Sequence, residues 1–329
     1  PVPPELQESL GEARDVELVE GKRFASIFYR FNAESPPLDQ QEFRRALDMA
    51  VDRQALVDTV LLGNGRTGSP SFMHPDSRWF EPQNAAFDPE QAGAILDEAG
   101  ITDSDGDGSR EYEGEPVSLS IIVSANDPLQ IRTAELVAQQ LGEVGIKLLP
   151  ESLDPGTLSQ RQNALDFELS SFQGVPHLIG DPTQMIESLE SLLVYSNPEY
   201  EGLREEWFQS TSVEQQGETM REIQRLFVED PPALTLYYPD TTYAYNSSAY
   251  DGWIPVEGHG IHHKWSFIPE APELLGIETV AQRTAPPKEE PGGRTILYAL
   301  VVAGAVVLLV LAIFLLRRRS ARGSDEDQI

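Results

Sequence analysis

An α/β architecture followed by one membrane-spanning helix is what this 329-residue chain predicts, on three observations. Helix and strand signals alternate through residues 1–280, a strand–helix–strand unit is legible at 117–149, and residues 296–316 carry no charge. In order along the chain, Val16–Glu20 and Phe24–Phe31 are rich in β-branched and aromatic residues and predict strands. Asp39 with Glu42 three residues on has the form of a capping box, and Phe43, Ala46, Leu47, Ala50 and Val51 fall on one helix face. A second helix is punctuated by Asp88 as N-cap, Pro89 at the first turn and Gly100 as the stop, with Ala92, Ile95, Leu96 and Ala99 on its apolar side. Val117, Leu119, Ile121 and Val123 alternate as a strand. Asp127-Pro128 then opens a helix carrying Ala134, Val137 and Leu141, and Ile146–Leu149 is a strand again, which makes a βαβ unit on a parallel sheet.

Charge is distributed unevenly. The chain has 24 Lys plus Arg against 54 Asp plus Glu, a net charge of −30, and residues 1–280 alone hold −32. Such a surface repels phosphate, so a nucleic-acid partner is excluded. Self-repulsion of this size is tolerated best where salt shortens the Debye length to about 3 Å at 1 M, and the composition is that of a halophile; an acidic protein at ordinary salt is the alternative. With no cysteine there are no disulfides, thiolate metal sites or cysteine nucleophiles. The uncharged stretch Ile296–Leu316 is long enough, at 1.5 Å per residue, to span a hydrocarbon core of roughly 30 Å. Arg317, Arg318, Arg319 and Arg322 follow it, which places the C-terminus in the cytoplasm and the rest of the chain outside. Residues 281–295, rich in Pro, Gly and charge, read as a stalk. The sequence opens Pro1-Val2-Pro3-Pro4 with no export signal, and an exterior domain needs one, so residue 1 is expected to be an internal or processed position.

Several residue groups have chemical potential. Asp103, Asp105 and Asp107 alternate before Gly108 as in the first half of a calcium loop, but the twelfth position is Gly114 where a bidentate Glu belongs; the alternative is a plain acidic turn. His259, His262 and His263 form either a transition-metal cluster or a surface turn. His177, Asp181, Ser170 and Ser171 lack the glycine pattern of a nucleophile elbow, so an enzyme is not expected. Trp207, Trp253 and Trp265 suit either ligand stacking or a core. Asn246-Ser247-Ser248 fits the glycosylation sequon, a pattern often left unoccupied.

Phe31-Asn32, Pro36-Pro37-Leu38-Asp39 and Phe43–Arg53 (FRRALDMAVDR), taken in order, resemble the opening signature of the family 5 extracellular solute-binding proteins, the dipeptide, oligopeptide and nickel receptors of ABC importers. Phe87–Ala92 through Gly100, Asp103–Gly108 before a strand, Leu136–Ile146, Pro231–Leu234 with Tyr237-Tyr238, and Gly252-Trp253 agree in order and spacing, so the resemblance covers roughly residues 1–268. It implies a two-lobed clamshell of the type II, cluster C kind. On that pattern residues 1–30 are a remnant of the first lobe, 31–232 the second lobe and 233–280 the return to the first, followed by stalk 281–295, membrane helix 296–316 and cytoplasmic tail 317–329. The signal sequence, the smaller subdomain and most of the first lobe are then expected to lie outside this sequence.

The resemblance also implies a ligand site. Peptide-binding members hold the ligand amine with an aspartate in a "W..D…DP" segment, and the matching stretch here is Phe172–Pro182. Phe172 takes the Trp position and Val175 the aspartate position, so a free peptide amine loses its ion pair. Phe172, Gln173, Gly174 and His177 are the implied pocket residues, with Tyr237, Tyr238 and Asn32 behind them. The function implied is capture of a peptide-like solute outside the cell for an ABC permease and its ATPase subunits, with no cofactor beyond the calcium alternative. A ligand-sensing receptor for a membrane signalling partner is the other class, and a metal chelate or an oligosaccharide the other solutes.

Overall fold

Residues 1–280 form one unit of the computed structural model, which describes residues 2–21, 24–82, 87–174, 181–193, 195–256 and 260–284. Helix α1 (Pro4–Gly11) precedes strands β1 (Val16–Gly21) and β2 (Ser26–Phe31), then helices α2 (Gln41–Met49) and α3 (Arg53–Val60) and the short strand β3 (Gly65–Thr67). Helix α4 (Pro89–Glu98), the small strands β4 (Glu111–Tyr112) and β5 (Glu115–Pro116), and strand β6 (Ser118–Ser124) follow. Next come α5 (Pro128–Glu143), β7 (Lys147–Leu153), α6 (Pro155–Asn163) and β8 (Leu169–Gly174). Helices α7 (Thr183–Leu193), α8 (Pro198–Gln209) and α9 (Val213–Glu229) lead to β9 (Ala233–Pro239), β10 (Thr241–Asn246) and α10 (Ala271–Leu275).

The expected βαβ unit is present: β6 and β7 pair in parallel, Leu119 opposite Leu148, with α5 between them. They belong to a six-stranded mixed sheet of order β3-β9-β2-β8-β6-β7, in which β2 runs antiparallel to both β8 and β9. The period of two sorts β2 between two cores. Ile27, Tyr29 and Phe31 face the core built with α2 to α5, while Phe28 faces the other, with Phe72, Trp79, Trp207 and Phe227. Strands β1 and β10 form a separate antiparallel ribbon, Gly21 opposite Thr241 and Val16 opposite Asn246. The chain therefore crosses between ribbon and sheet twice, between Gly21 and Ser26 and between Pro239 and Thr241. The division expected at 30/31 falls within β2 and that at 232/233 just before β9, two strands that pair with each other inside the central sheet.

Local rules explain most helix starts. Asp88 accepts from the Gln91 N–H (2.8 Å) and Asp127 from those of Leu129 and Gln130, each just before a proline, as the sequence predicts. The capping box at Asp39 does not form. Asp39 stays in a turn, Gln40 donates to the Pro37 carbonyl (3.0 Å), and α2 begins at Gln41 with no side-chain cap. The second strand starts at Ser26 instead of Phe24, whose ring stacks on His74.

The opening signature has a structural reason. Arg44 donates to the carbonyls of Leu38 (2.7 Å) and Pro231 (3.2 Å) and pairs with buried Asp230. Arg53 donates to the Thr235 carbonyl (2.7 Å) and pairs with buried Asp48, whose pKa desolvation raises against the pull of that arginine. Each guanidinium thereby ties a helix to the chain at or just before β9. Among the described residues no helix is long and apolar enough to cross a membrane; the span expected at 296–316 and the tail 317–329 lie outside them. Of the stalk expected at 281–295 only residues 281–284 are described, as part of a short helix (Val280–Thr284) instead of an extended linker.

Candidate functional site

Strands β6, β7, β8 and β9 point the same way, so Ser124, Leu153, Gly174 and Pro239 share one edge of the central sheet. That edge is where the chain crosses to the ribbon, and the carboxyl ends of strands are where open α/β sheets leave a crevice. Phe172, Gln173 and Gly174 close β8 at this edge. Phe172 is half-buried and stacks on Phe28 at 5.9 Å with 19° between planes. A side chain at position 174 would meet the Phe28 ring at 3.0 Å, so glycine lets the strand pass over that ring. Gln173 is exposed.

The Arg30 guanidinium lies 5.8 Å from the Phe172 ring centre and 5.2 Å from that of Phe167. The residue is only 6% exposed, burial lowers its pKa, and among the described residues no carboxylate pairs with it. At the crossing itself a cavity of about 160 Å³ opens between Glu20, Arg66, Asp76 and Asp240, with Arg66 and Asp240 3.6 Å apart.

The other implied pocket residues divide. Tyr237 pairs with Ile27 across from Gln173, but its hydroxyl is bonded to Thr133 Oγ1 (2.8 Å), and burial pushes its pKa up to about 12. Tyr238 is fully buried and donates to the Met73 carbonyl (3.0 Å). Asn32 lies at the opposite end of β2, where its amide donates to the carbonyls of Leu165 (3.3 Å) and Phe167 (3.0 Å). The structure thus gathers Phe172, Gln173 and Gly174, and commits the polar groups of Asn32, Tyr237 and Tyr238 to the fold. His177 and Val175 lie outside the described residues.

Asp103, Asp105 and Asp107 come together with Glu111, their carboxylate oxygens all within 4.8 Å of one another. Asp103 also accepts from the N–H groups of Gly106 (2.7 Å) and Gly108 (3.0 Å), and Glu111 from Ser104 (2.8 Å). Glu111 stands at the ninth position counted from Asp103, not at the twelfth, where Gly114 lies. His262 packs on Tyr243 and Trp253, whereas His263 bonds the Ile254 carbonyl (2.6 Å); His259 lies outside the described residues. Ser170 and Ser171 are buried within β8, and Asp181 accepts from the Thr183 N–H. Trp207 is buried against Trp79, while Trp253 and Trp265 are partly buried against smaller clusters. Asn246 is exposed at the end of β10. Sequence reasoning missed Phe28 and Arg30, although their alternation with Tyr29 and Phe31 places them on the face of Phe172.

A mixed sheet with helices on both faces, two crossings to a separate ribbon and an aromatic cluster beside them define a periplasmic-binding-protein-like fold. Residues 1–192 match the family described as bacterial extracellular solute-binding proteins, family 5 Middle, and the chain belongs to that family. Among its relatives, heme-binding protein A of Haemophilus influenzae is 25% identical over 273 residues, 79% of this chain and 43% of that protein. Oligopeptide-binding protein AppA of Bacillus subtilis, solved in complex with a nonapeptide, aligns with a TM-score of 0.65 at 20% identity over 74% of this chain and 51% of its own. A mannohexaose-bound periplasmic oligopeptide-binding protein of Thermotoga maritima gives 0.68 at 20% identity, over 85% and 57%. The chain spans about half the length of the relatives it matches. The family is one of binding proteins, not enzymes.

Proposed function

We propose that this chain supplies the second lobe of an extracellular receptor that captures a peptide-like solute and hands it to an ABC permease and its ATPase subunits. The single observation that carries this reading is the paired crossing between ribbon and central sheet, placed beside the Phe28–Phe172 stack at the carboxyl edge of β8. Two crossings side by side make a hinge, and a hinge beside an aromatic floor lets closure of a facing lobe bury a solute there. Both lobes' contacts are then made only in the closed state, so binding and closure are one equilibrium. The uncharged stretch 296–316 anchors the receptor and raises its effective concentration near the permease. The acidic surface suits high salt. Calcium is the ion proposed for the turn at Asp103, Asp105, Asp107 and Glu111, where four carboxylates converge.

A thermal-shift screen of the complete receptor in molar salt, over peptides, oligosaccharides and metal chelates, tests the solute class. Peptides are expected to raise the melting temperature. Stabilisation by sugars or chelates with no response to any peptide would replace the peptide reading by one of those classes.

A further inference from the structure

Of the seven asparagines in the chain, Asn246 alone is followed by a residue other than proline and then by Ser or Thr. We propose that Asn246 is a site of N-linked glycosylation, on a lipid-phosphate-linked oligosaccharide as donor. The local geometry singles out its amide nitrogen. Strand β10 ends at Asn246 and the chain turns at once, the Asn246 carbonyl accepting from the N–H groups of Ala249 and Tyr250, both at 3.1 Å. The side-chain Oδ1 accepts three hydrogen bonds, from the Ser248 hydroxyl (2.7 Å), the Ser248 N–H (2.9 Å) and the Ala249 N–H (3.2 Å). Three donors on one atom identify it as the oxygen, which fixes Nδ2 as the other. Nδ2 has no hydrogen-bond partner among the described residues, and Asn246 and Ser248 are both exposed.

The sequon serine thus already holds the amide oxygen, and hydrogen bonds there polarise the amide and make its N–H more acidic. In the transfer, Nδ2 forms a bond to the anomeric carbon of the sugar. The bond from that carbon to the phosphate oxygen breaks, its electron pair leaves with the lipid phosphate, and the Nδ2 proton passes to a base of the transferase. Nothing is oxidised or reduced. Placement also suits the receptor: Asn246 is five residues along β10 from Thr241 at the crossing, about 17 Å away at roughly 3.4 Å per residue, so a glycan there clears the β8 edge.

The inference rests on the exterior placement proposed above, and the experiment separates the two. The full chain is labelled at the cell surface with a membrane-impermeant biotin reagent, purified from its native cells and digested, and the peptide spanning Asn246 is weighed. The expected result is a mass increase of one oligosaccharide on most copies, abolished in N246Q and S248A and retained in S248T and S247A. A peptide of unmodified mass from surface-labelled protein overturns the glycosylation inference and leaves the receptor reading standing. An unmodified peptide from a chain that takes no surface label overturns both.

Discussion

Replacing Arg44 by Met isolates a buried carboxylate whose surroundings are fully specified. The Arg44 and Asp230 side chains are 7% and 8% exposed. The second oxygen of Asp230 accepts from the Tyr195 hydroxyl (2.9 Å) and the Asn197 amide (2.8 Å), so after the change it keeps two neutral donors and loses its only cation among the described residues. The Leu38 and Pro231 carbonyls lose their donors as well. Removing one partner of a buried pair leaves an uncompensated charge and costs about 3 to 5 kcal/mol. At roughly 2 to 3 °C per kcal/mol for a domain of this size, the melting temperature should fall by about 6 to 15 °C. Differential scanning calorimetry at 0.2 M and at molar salt reads this directly; the loss should persist in high salt because a buried pair is little screened. The double variant R44M/D230L should recover most of the loss, since removing both charges is often near neutral. A fall of under about 1 kcal/mol for R44M, or a double variant no better than R44M, refutes the idea that charge burial at this pair governs the junction of α2 with the start of β9.

Alkaline pH offers a second test. Because burial raises the Tyr237 pKa from 10 to about 12, its neutral form is favoured in the fold, so this contribution is whole below pH 10 and is lost as pH rises through 12. Y237F should lose about 1 kcal/mol at neutral pH, from the Thr133 bond, and show a shallower decline between pH 10 and 12 by urea titration; an unchanged slope counts against the assignment. Gly68 donates to the Leu236 carbonyl (2.9 Å), and an added methyl would strike the Thr235 carbonyl, so G68A should be destabilised by about 1 to 3 kcal/mol in the same titration, with parent-like stability as the contrary result. Calcium at tenfold excess over its dissociation constant should stabilise the chain by roughly 1.4 kcal/mol, and D105N should abolish that gain; a flat thermal response to millimolar calcium returns the turn to a hydrogen-bonded loop.

What the sequence made legible follows the range of the forces involved. The helix at 88–100 and the unit at 117–149 depend on capping, glycine stops and period, all local, and both are found where expected. The ribbon pairs Val16 with Asn246 across most of the chain, and no local signal announces such a partner. At Asp39 the local rule failed because the turn after Pro36-Pro37 uses that position, so the helix starts later. Helix α9 carries Met220, Ile223 and Phe227 on one buried face, at a helical period that the local sequence displays. In the site, Phe172 and Gly174 owe their setting to Phe28, a residue in another strand that only pairing register reveals. Tyr237 and Tyr238 matched the family pattern, yet their hydroxyls are spent inside the fold, a distinction that burial decides and spelling does not. Arg30 is the opposite case: one arginine in an acid-rich chain, held over two phenylalanine rings with no carboxylate partner among the described residues.

Hydrogen exchange followed by mass spectrometry, on the complete receptor with and without the solute that stabilises it, bears most directly on where binding occurs. Slowed exchange should concentrate at Phe172–Gly174, at the facing start of β2 and at the crossing from Pro239 to Thr241, because closure buries the β8 edge and fixes the hinge. A solute that raises the melting temperature while leaving those amides unchanged, and slows exchange at some other surface, would contradict a cleft at the carboxyl edge of β8.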